Sequence, residues 1–246
     1  MFNLFNRGKK TPAQLFYHTD VHCHILPGVD HGSQNVEQSL AMLQAELDMG
    51  VNRVVCTSHV TSQTFENTVE SLTHAYEELV QAVKEAELGV EIFVSAEYRV
   101  DEYFNKEYAA GHILPMPGNF LLLENSFQQE LLELDELLFD CQLKGYKPML
   151  AHPERYSYYA RRHQRLTQLH NNGVKFQLNI LSLTGFFGAM ARETAVWLIK
   201  NNMVDFLGSD MHSVEQAEII QRYLKSKDWR KQSALLDGRI LNDGVR

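Results

Sequence analysis

The chain has 246 residues, of which 44% are hydrophobic and 22% charged, so its composition excludes wholesale disorder and a collagen-like structure. Its 23 Lys and Arg residues against 31 Asp and Glu residues give a net charge of −8, which excludes the basic footprint of a duplex nucleic-acid-binding protein. The length suits two domains or one (β/α) barrel of about 250 residues. The 11 His residues are a high number, and bound divalent cations would offset part of the acidic balance.

Cysteine usage and hydropathy bear on the cellular location. Cys23, Cys56 and Cys141 show no paired spacing, which favours reduced thiols over a secreted disulfide framework. The first ten residues lack the apolar stretch of a signal peptide, and no run approaches the ~20 apolar residues of a membrane span. We therefore expect a cytoplasmic protein that does not insert into a membrane.

A short apolar run rich in Val, Leu, Ile and Phe recurs seven times, which is typical of buried parallel strands. In chain order, the predicted strands cover residues 17–24, 51–59, 90–97, 119–124, 146–152, 174–179 and 203–210. Amphipathic helices are predicted between the strands, as from Val69 to Val83, where Asn67 and Glu70 resemble an N-terminal capping pair.

The spacing of these strands indicates the architecture. Successive predicted strands end 27–38 residues apart, which is the length of a βα unit. The alternation predicts a parallel α/β sheet, either as a barrel or as an open sheet. No linker divides the chain, so we expect an N-terminal extension over residues 1–16 and a single domain over residues 17–246, with a loosely ordered tail after about Trp229.

Potential metal ligands follow almost every predicted strand, at the end where (β/α) barrels carry their chemistry. The set is His22, His24, His31, His59, Glu97, Glu124, His152, Asp210 and His212. One such residue alone is more often a hydrogen-bonded structural residue than a ligand, and the sixth strand ends in Asn179, a poor ligand. The joint pattern nevertheless predicts a multinuclear metal site.

The ordered series resembles the PHP (polymerase and histidinol phosphatase) superfamily, and the resemblance covers roughly residues 17–225. The matching segments are Asp20–His24, Asp30–Gly32, Thr57–His59, Ala96–Glu97, Leu123–Glu124, His152–Arg155 and Ser209–His212. Within the superfamily, residues 22–32 and 151–156 are most similar to the bacterial capsular-polysaccharide type metal-dependent protein-tyrosine phosphatases.

The resemblance implies a distorted TIM-like (β/α)7 barrel with two to three divalent metal ions, manganese being the first expectation and zinc, iron or magnesium the alternatives. It implies three ligand sets: His22, His24, Glu97 and Asp210 for one ion; Glu97, Glu124 and His152 for a second; and His31, His59 and His212 for a third. Three such ions and three carboxylates would leave a positive site, which suits a phosphate monoester.

The implied activity is hydrolysis of phosphotyrosine by a metal-activated hydroxide. Arg155, Asp210 and His212 are the expected catalytic residues, and Arg155 would hold phosphate oxygens. An alternative role for Arg155 is an ion pair with Glu154 or Glu124. The implied substrate is the phosphorylated tail of a tyrosine autokinase that regulates capsular or exopolysaccharide synthesis.

Two departures from the family pattern keep alternatives open. Asp30-His31-Gly32 replaces the usual Asp-Asp-Gly, and Ala217 stands where better-known members carry an arginine. The first alternative is a PHP phosphoesterase for a small phosphomonoester such as histidinol phosphate. The second is a metal-stabilised binding module without turnover. The oligomeric state is not determined by the sequence.

Two further groups each have two interpretations. Asp20 and Asp30 either orient ligand imidazoles or have strand-edge and turn roles. Arg161, Arg162 and Arg165 either attract an acidic or phosphorylated tail or form a solvated helix face.

Overall fold

The structure is a computed structural model that describes residues 13–246, so most of the predicted N-terminal extension, residues 1–12, lies outside the described residues. Seven parallel strands form one sheet in which neighbours follow chain order. The strands are β1 (Thr19–Cys23), β2 (Arg53–Val60), β3 (Glu91–Arg99), β4 (Phe120–Glu124), β5 (Lys147–Ala151), β6 (Lys175–Asn179) and β7 (Phe206–Gly208).

The helices lie between and after these strands in the chain. They are α1 (Val36–Asp48), α2 (Val69–Glu85), α3 (Glu102–Ala110), α4 (Leu134–Leu143), α5 (His163–Asn171), α6 (Ile180–Thr184), α7 (Ala189–Lys200), α8 (Val214–Leu224) and α9 (Lys227–Leu236). A 3-10 turn, Pro153–Arg155, follows β5. No helix among residues 13–246 has the length and apolar character needed to cross a membrane.

The first and last strands meet just beyond their ends and nearly close the sheet into a barrel. Cys23 pairs in parallel with Met211, and the His24 amide donates to the Met211 carbonyl at 3.0 Å. The Asp210 amide donates to the His22 carbonyl at 2.7 Å. The predicted seven-stranded α/β barrel is therefore confirmed.

The barrel interior changes from apolar to polar along several strands, including β2 and β4. Val55 of β2, Leu122 of β4 and Phe206 of β7 belong to one buried apolar cluster near the start of the barrel. Alternate strand residues share a face, so the next inward positions on β2 and β4 include His59 and Glu124. The apolar layer supports the polar groups that the strands present at their C-terminal ends.

The N-terminus of α2 differs from the prediction, which was wrong about its cap. The N-cap is Thr68, and it forms a capping box with Ser71 in which the hydroxyl oxygen of each residue accepts from the backbone amide of the other. The Asn67 side chain instead donates to the carbonyls of Val29 and His59. It thereby ties the loop after β1 to the end of β2.

The C-terminal tail is ordered, so the expectation of a loose tail is wrong. The Asn242 side chain is buried and donates to the carbonyls of Thr19 and Leu207, at 2.9 and 2.7 Å. It also accepts from the Leu207 amide at 3.0 Å. Val245 is buried in the apolar cluster inside the barrel. The tail therefore joins β1 to β7 at the end of the barrel opposite the polar residues.

Candidate metal centre

The barrel brings eight of the nine predicted ligands together. Their donor atoms form four groups of three within which all atoms lie within 4.8 Å of one another. The groups are His22, His24 and Asp210; His22, Glu97 and His152; His59, Glu97 and Glu124; and His24, His59 and His212. Shared members make these groups one continuous cluster across the mouth of the barrel.

Four buried donors converge near β1. The Nε2 atoms of His22 and His24 lie 3.3 Å apart. Asp210 Oδ1 lies 3.4 Å from the first of these nitrogens and 3.2 Å from the second. Glu97 Oε2 lies at 3.4 and 3.5 Å from the same two nitrogens. Neighbouring donors around one cation with ~2.0 Å bonds are about 3.3 Å apart, so this spacing fits a divalent metal.

The two carboxylate oxygens of Glu97 face different partners. Oε2 lies 2.9 Å from His59 Nδ1, while Oε1 lies 3.0 Å from His152 Nε2. His152 Nε2 is also 3.7 Å from Glu124 Oε1. Glu97 thus lies between two neighbouring donor groups, and the shared ligand role that the resemblance implied for it stays a prediction.

His31 is the predicted ligand outside these groups within the described part of the chain. Its ring centroid lies 4.5 Å from that of His212 and 4.8 Å from that of His59, so the side chain borders the cluster. In the group that contains His59 and His212, His24 occupies the place that the resemblance implied for His31. A ligand role for His31 therefore stays a prediction.

Three buried atoms of the cluster residues make no hydrogen bond of acceptable geometry among the described residues. They are Glu97 Oε2, His152 Nδ1 and His212 Nε2. An unsatisfied buried polar atom costs about 1–3 kcal/mol, and a cation shared by the donors would satisfy Glu97 Oε2 and His212 Nε2. The residues present therefore fit a metal centre.

The protonation states also suit metal binding. Burial lowers the pKa of His152 to about 4 and that of His212 to about 3, so both rings are neutral and keep a lone pair. Burial opposes protonation of His22 as well, but the carboxylates of Glu97 and Asp210 outweigh it and raise its pKa to about 9. A cation at this position would therefore displace a proton from His22.

The ring of His22 is oriented by a residue that the sequence analysis missed. Gln177 on β6 is fully buried, and its Oε1 lies 2.7 Å from His22 Nδ1. A Cβ on Gly208 would meet His22 and Gln177 at 2.6 and 2.5 Å, so only glycine allows this packing. The signal was available, because Gln177 lies two residues before Asn179 and shares its strand face.

The two aspartates with open interpretations have different contacts. Asp30 Oδ2 lies 2.8 Å from His24 Nδ1 and accepts from the His59 amide at 3.0 Å, so this residue orients a ring. Asp20 instead accepts from the backbone amides of His22 and Ser209. It holds the ends of β1 and β7 together rather than an imidazole.

Two residues of the same cluster have a strained backbone. His152 and Asp210, which follow β5 and β7, both have left-handed backbones, with φ of 32° and 48°. Such a conformation costs on the order of 1–3 kcal/mol for a residue other than glycine and is common at functional sites. Here it turns both side chains towards the barrel axis at the point where each strand ends.

A cavity of about 560 Å³ opens beside the cluster, and two arginines border it. Arg155 donates to Asp210 Oδ2 at 2.7 Å, so its ion-pair partner is neither Glu154 nor Glu124. Arg99, which the sequence analysis missed, donates to Glu124 Oε2 at 2.9 Å. Arg99 is two residues after Glu97 on the same strand, which places both on one face.

Aromatic rings form the apolar part of the cavity wall. The guanidinium carbons of Arg99 and Arg155 lie 5.7 and 5.0 Å from the centroid of Phe127. The ring of Phe65 stacks 5.5 Å from that of His31. Ala217 is fully buried in α8, so the position of the missing family arginine does not face this cavity.

A chain of polar contacts links the 3-10 turn to the cluster. Glu154 Oε1 accepts from the Asn179 amide at 3.0 Å and from the Ser182 hydroxyl at 2.7 Å. The Asn179 side chain in turn donates to Asp210 Oδ2 at 2.7 Å. Asn179 therefore positions a cluster carboxylate. Burial raises the pKa of Glu154 to about 7.

The sequence matches one known protein family over most of its length. The sequence model of the CpsB/CapC family, described as capsular polysaccharide synthesis, matches residues 18–222. The chain belongs to this family. The resemblance that the motifs indicated is therefore confirmed.

This CpsB/CapC family member is similar to named phosphatases along most of its length. It is 27% identical over 197 residues to the tyrosine-protein phosphatase YwqE of Bacillus subtilis (strain 168), covering 80% of this chain and 78% of the relative. It is 27% identical over 203 residues to the tyrosine-protein phosphatase CpsB of Streptococcus pneumoniae, covering 80% and 83%.

A solved structure shares the fold. A chain from the crystal structures of YwqE from Bacillus subtilis and CpsB from Streptococcus pneumoniae, described as metal-dependent tyrosine phosphatases, matches with a TM-score of 0.77. The match has 24% sequence identity and covers 93% of this chain and 95% of that chain. The CpsB/CapC family member therefore has the same barrel fold.

We predict that Gln177→Leu lowers the affinity for divalent metal by about 10–100-fold, because His22 loses the acceptor that fixes its ring. The measurement is competition with a metal-binding dye at constant pH. The exposed Gln44→Leu on α1 is the matched control and should leave the affinity unchanged. Equal affinities for wild type and Gln177→Leu would contradict the orienting role.

We predict that Glu154 makes stability depend on pH. Burial favours the neutral carboxyl and raises its pKa to about 7 in the folded state. The stabilisation of the fold by this protonated carboxyl is therefore fully present below pH 4.5 and is lost as the pH rises to about 7. Relative to Glu154→Gln, the wild type should lose about 3 kcal/mol of unfolding free energy across this interval. Denaturant unfolding at each pH measures it, with the exposed Glu78→Gln as control; parallel curves for wild type and Glu154→Gln would refute it.

Proposed function

We propose that this protein is a cytoplasmic, metal-dependent protein-tyrosine phosphatase that acts on a tyrosine autokinase of capsular or exopolysaccharide synthesis. One observation carries the proposal: a cluster of metal-type donors shares a cavity with two arginines and aromatic rings. The family and the relatives named tyrosine-protein phosphatase support the same activity. The buried free thiols of Cys23, Cys56 and Cys141 suit a reducing compartment.

The donor set suits two to three divalent cations, with His22, His24, His59, Glu97, Glu124, His152, Asp210 and His212 as the residues that would hold them. We keep His31 as a further candidate ligand at the rim. Imidazole and carboxylate donors are compatible with manganese, our first choice, and with zinc or iron. When bound, such cations activate a water molecule and neutralise charge on a phosphate.

Arg155 and Arg99 would bind the phosphate oxygens from two sides of the cavity. Each guanidinium is anchored to a carboxylate of the donor cluster and keeps further N–H groups for a ligand. Charge-assisted contacts of this kind are about twice as strong as neutral hydrogen bonds. The arginines would therefore hold the phosphorus at a fixed distance from the donor cluster.

Asp210 and His212 position the reacting groups. Asp210 Oδ2 accepts from Arg155 and Asn179, which leaves Oδ1 directed towards His22 and His24. His212 Nδ1 lies 2.9 Å from the Asp210 carbonyl, which leaves its Nε2 for the cluster. The leaving group is a phenolate with a pKa of about 10, so its departure needs little proton donation.

The aromatic wall favours an aryl phosphate. Phe127 and Phe65 both line the cavity, and a phenol ring can pack against them in offset or edge-to-face contact. The cavity is open to solvent along Phe127, which is 37% exposed, so a phosphotyrosine carried by a polypeptide can enter. A small polar phosphomonoester such as histidinol phosphate would leave this apolar surface uncovered.

We predict that the purified protein hydrolyses a phosphotyrosine peptide in the presence of Mn²⁺ and loses this activity in excess chelator. Asp210→Asn should lower kcat by more than the roughly 10–100-fold typical of changes to groups that merely orient donors. Phosphate release is measured over a panel that includes histidinol phosphate.

The outcomes of this assay separate the alternatives. Faster turnover of histidinol phosphate than of the peptide would favour the small-molecule phosphoesterase. Activity that persists after complete metal removal would overturn the proposal. Absence of turnover with every metal, together with unimpaired binding of phosphopeptide, would favour a binding module.

We predict that Arg99→Gln raises KM for the phosphotyrosine peptide roughly 10–100-fold, because one charge-assisted contact to phosphate contributes about 1.5–3 kcal/mol. The inhibition constant of inorganic phosphate should rise in parallel. Arg53→Gln is a matched control, since Arg53 pairs with Glu91 across the same two strands that carry His59 and Glu97, at their opposite end. A fall in metal affinity with KM unchanged would show instead that Arg99 acts only through Glu124.

A further inference from the structure

A second concave surface lies beside the cavity, between the segment before α5 and the helix α7. A groove of about 530 Å³ is lined by Ala160, His163, Met190, Trp197 and Lys200, among others. The ring of His163 stacks on that of Trp197 with 4.0 Å between the centroids. The floor of this groove is therefore aromatic and apolar, and its rim is charged.

Exposed apolar side chains connect the groove to the cavity. The guanidinium carbon of Arg155 lies 4.0 Å from the ring centroid of Phe187, which packs against Phe186. Phe186 is 48% exposed and Met190 is 42% exposed, so apolar surface continues onto α7. Ala160 follows Arg155 by five residues, which limits the distance between cavity and groove to about 18 Å.

The far side of the groove is positively charged. His163 also lines a neighbouring groove of about 640 Å³, whose wall includes Arg161 and Arg162. Among residues 13–246, no carboxylate lies within 4.0 Å of the side-chain nitrogens of Arg161, Arg162 or Lys200. Arg165 and Arg192 nearby are paired with acidic residues, and Glu193 is the acidic residue that lines the first groove.

We propose that this α5–α7 surface, formed by Arg161, Arg162, His163, Met190, Trp197 and Lys200, docks the part of the phosphoprotein substrate that flanks the phosphotyrosine. The inference rests on the proposed function. The occupant is an extended acidic segment whose carboxylates lie near Arg161, Arg162 and Lys200 and whose apolar side chain lies on Met190 and Trp197.

The distance limits where those carboxylates belong. An extended segment advances about 3.3 Å per residue, so a span of at most about 18 Å places them within about six residues of the phosphotyrosine. Arg161, Arg162 and Lys200 are cations that are unpaired within the described part of the chain, on a protein whose net charge is −8. An acidic segment is therefore attracted to this face of the protein and not to its surface as a whole. Exposed ion pairs are weak and screened by salt, so the preference should be modest and salt-dependent.

The test uses two phosphotyrosine peptides that differ only in Glu or Gln residues within about six positions of the phosphotyrosine on both sides. The wild type should hydrolyse the Glu peptide about tenfold more efficiently at low salt, through a lower KM. Arg161→Glu with Arg162→Glu should abolish this preference and leave p-nitrophenyl phosphate hydrolysis within twofold. Lys84→Glu with Lys225→Glu, an equal charge change at exposed positions outside both grooves, should retain it.

A second measurement keeps the docking surface testable apart from the phosphatase activity. The labelled Glu peptide with unphosphorylated tyrosine should bind the wild type in fluorescence anisotropy, and Arg161→Glu with Arg162→Glu should weaken binding about tenfold. If the proposed function is wrong, neither phosphopeptide will be hydrolysed, whether or not the unphosphorylated Glu peptide binds in the anisotropy measurement.

Three outcomes would overturn the docking proposal. One is an unchanged Glu-over-Gln preference in the Arg161→Glu, Arg162→Glu variant. Another is equal loss of activity on p-nitrophenyl phosphate, which would indicate a structural effect. The third is a change of oligomeric state in that variant during sedimentation, which would assign this face to contact between copies of the chain.

Discussion

The arrangement of the barrel mouth depends on one constraint: two buried imidazole nitrogens lie 3.2–3.5 Å from each other and from two buried carboxylate oxygens. Two carboxylates and two imidazoles at this spacing are stable together only if positive charge is shared among them. Without metal, protonated His22 supplies part of it, which is why its pKa is raised to about 9 despite burial. A divalent cation supplies more charge at the same point. The surrounding contacts, Gln177 on one ring and Asp30 on the other, keep the donors in place for it.

This constraint also bears on the phosphate-binding role that we propose for the two arginines. Arg155 and Arg99 are anchored to Asp210 and Glu124, which belong to the donor cluster. A cation bound to these carboxylates withdraws their negative charge from the guanidinium groups, so more of the arginines' attraction remains for an anionic ligand. Metal and phosphate affinity should therefore reinforce each other through the same two ion pairs. The net charge of −8 says little about the field inside the cavity.

Local patterns carried most of the fold prediction. Strand positions, their parallel order and the ligand types at their ends follow from short apolar runs at βα spacing, and the structure places eight of the nine ligand candidates in one cluster. Arg99 and Gln177 were missed because their importance comes from residues that are distant in the sequence. Arg99 is the register partner of Glu124 on the neighbouring strand, and Gln177 on β6 reaches His22 on β1, the strand that meets β7 where the barrel nearly closes. The predictions of the α2 cap and of a loose C-terminal tail were wrong for a similar reason. Thr68 competes with Asn67 for one helix end, and Asn242 becomes ordered only through carbonyls of β1 and β7.

Selection of a protein substrate requires contacts beyond the cavity. In the proposed function the donor cluster and two arginines would recognise a phosphate group, which every phosphomonoester carries, and the aromatic wall would add preference only for the ring. Discrimination between one phosphotyrosine and another must come from residues that touch the flanking segment. The α5–α7 surface meets this requirement because Arg155 and Phe187 make the cavity and the exposed apolar surface contiguous. A change there should alter substrate choice while leaving the metal centre and the reaction on a small aryl phosphate intact.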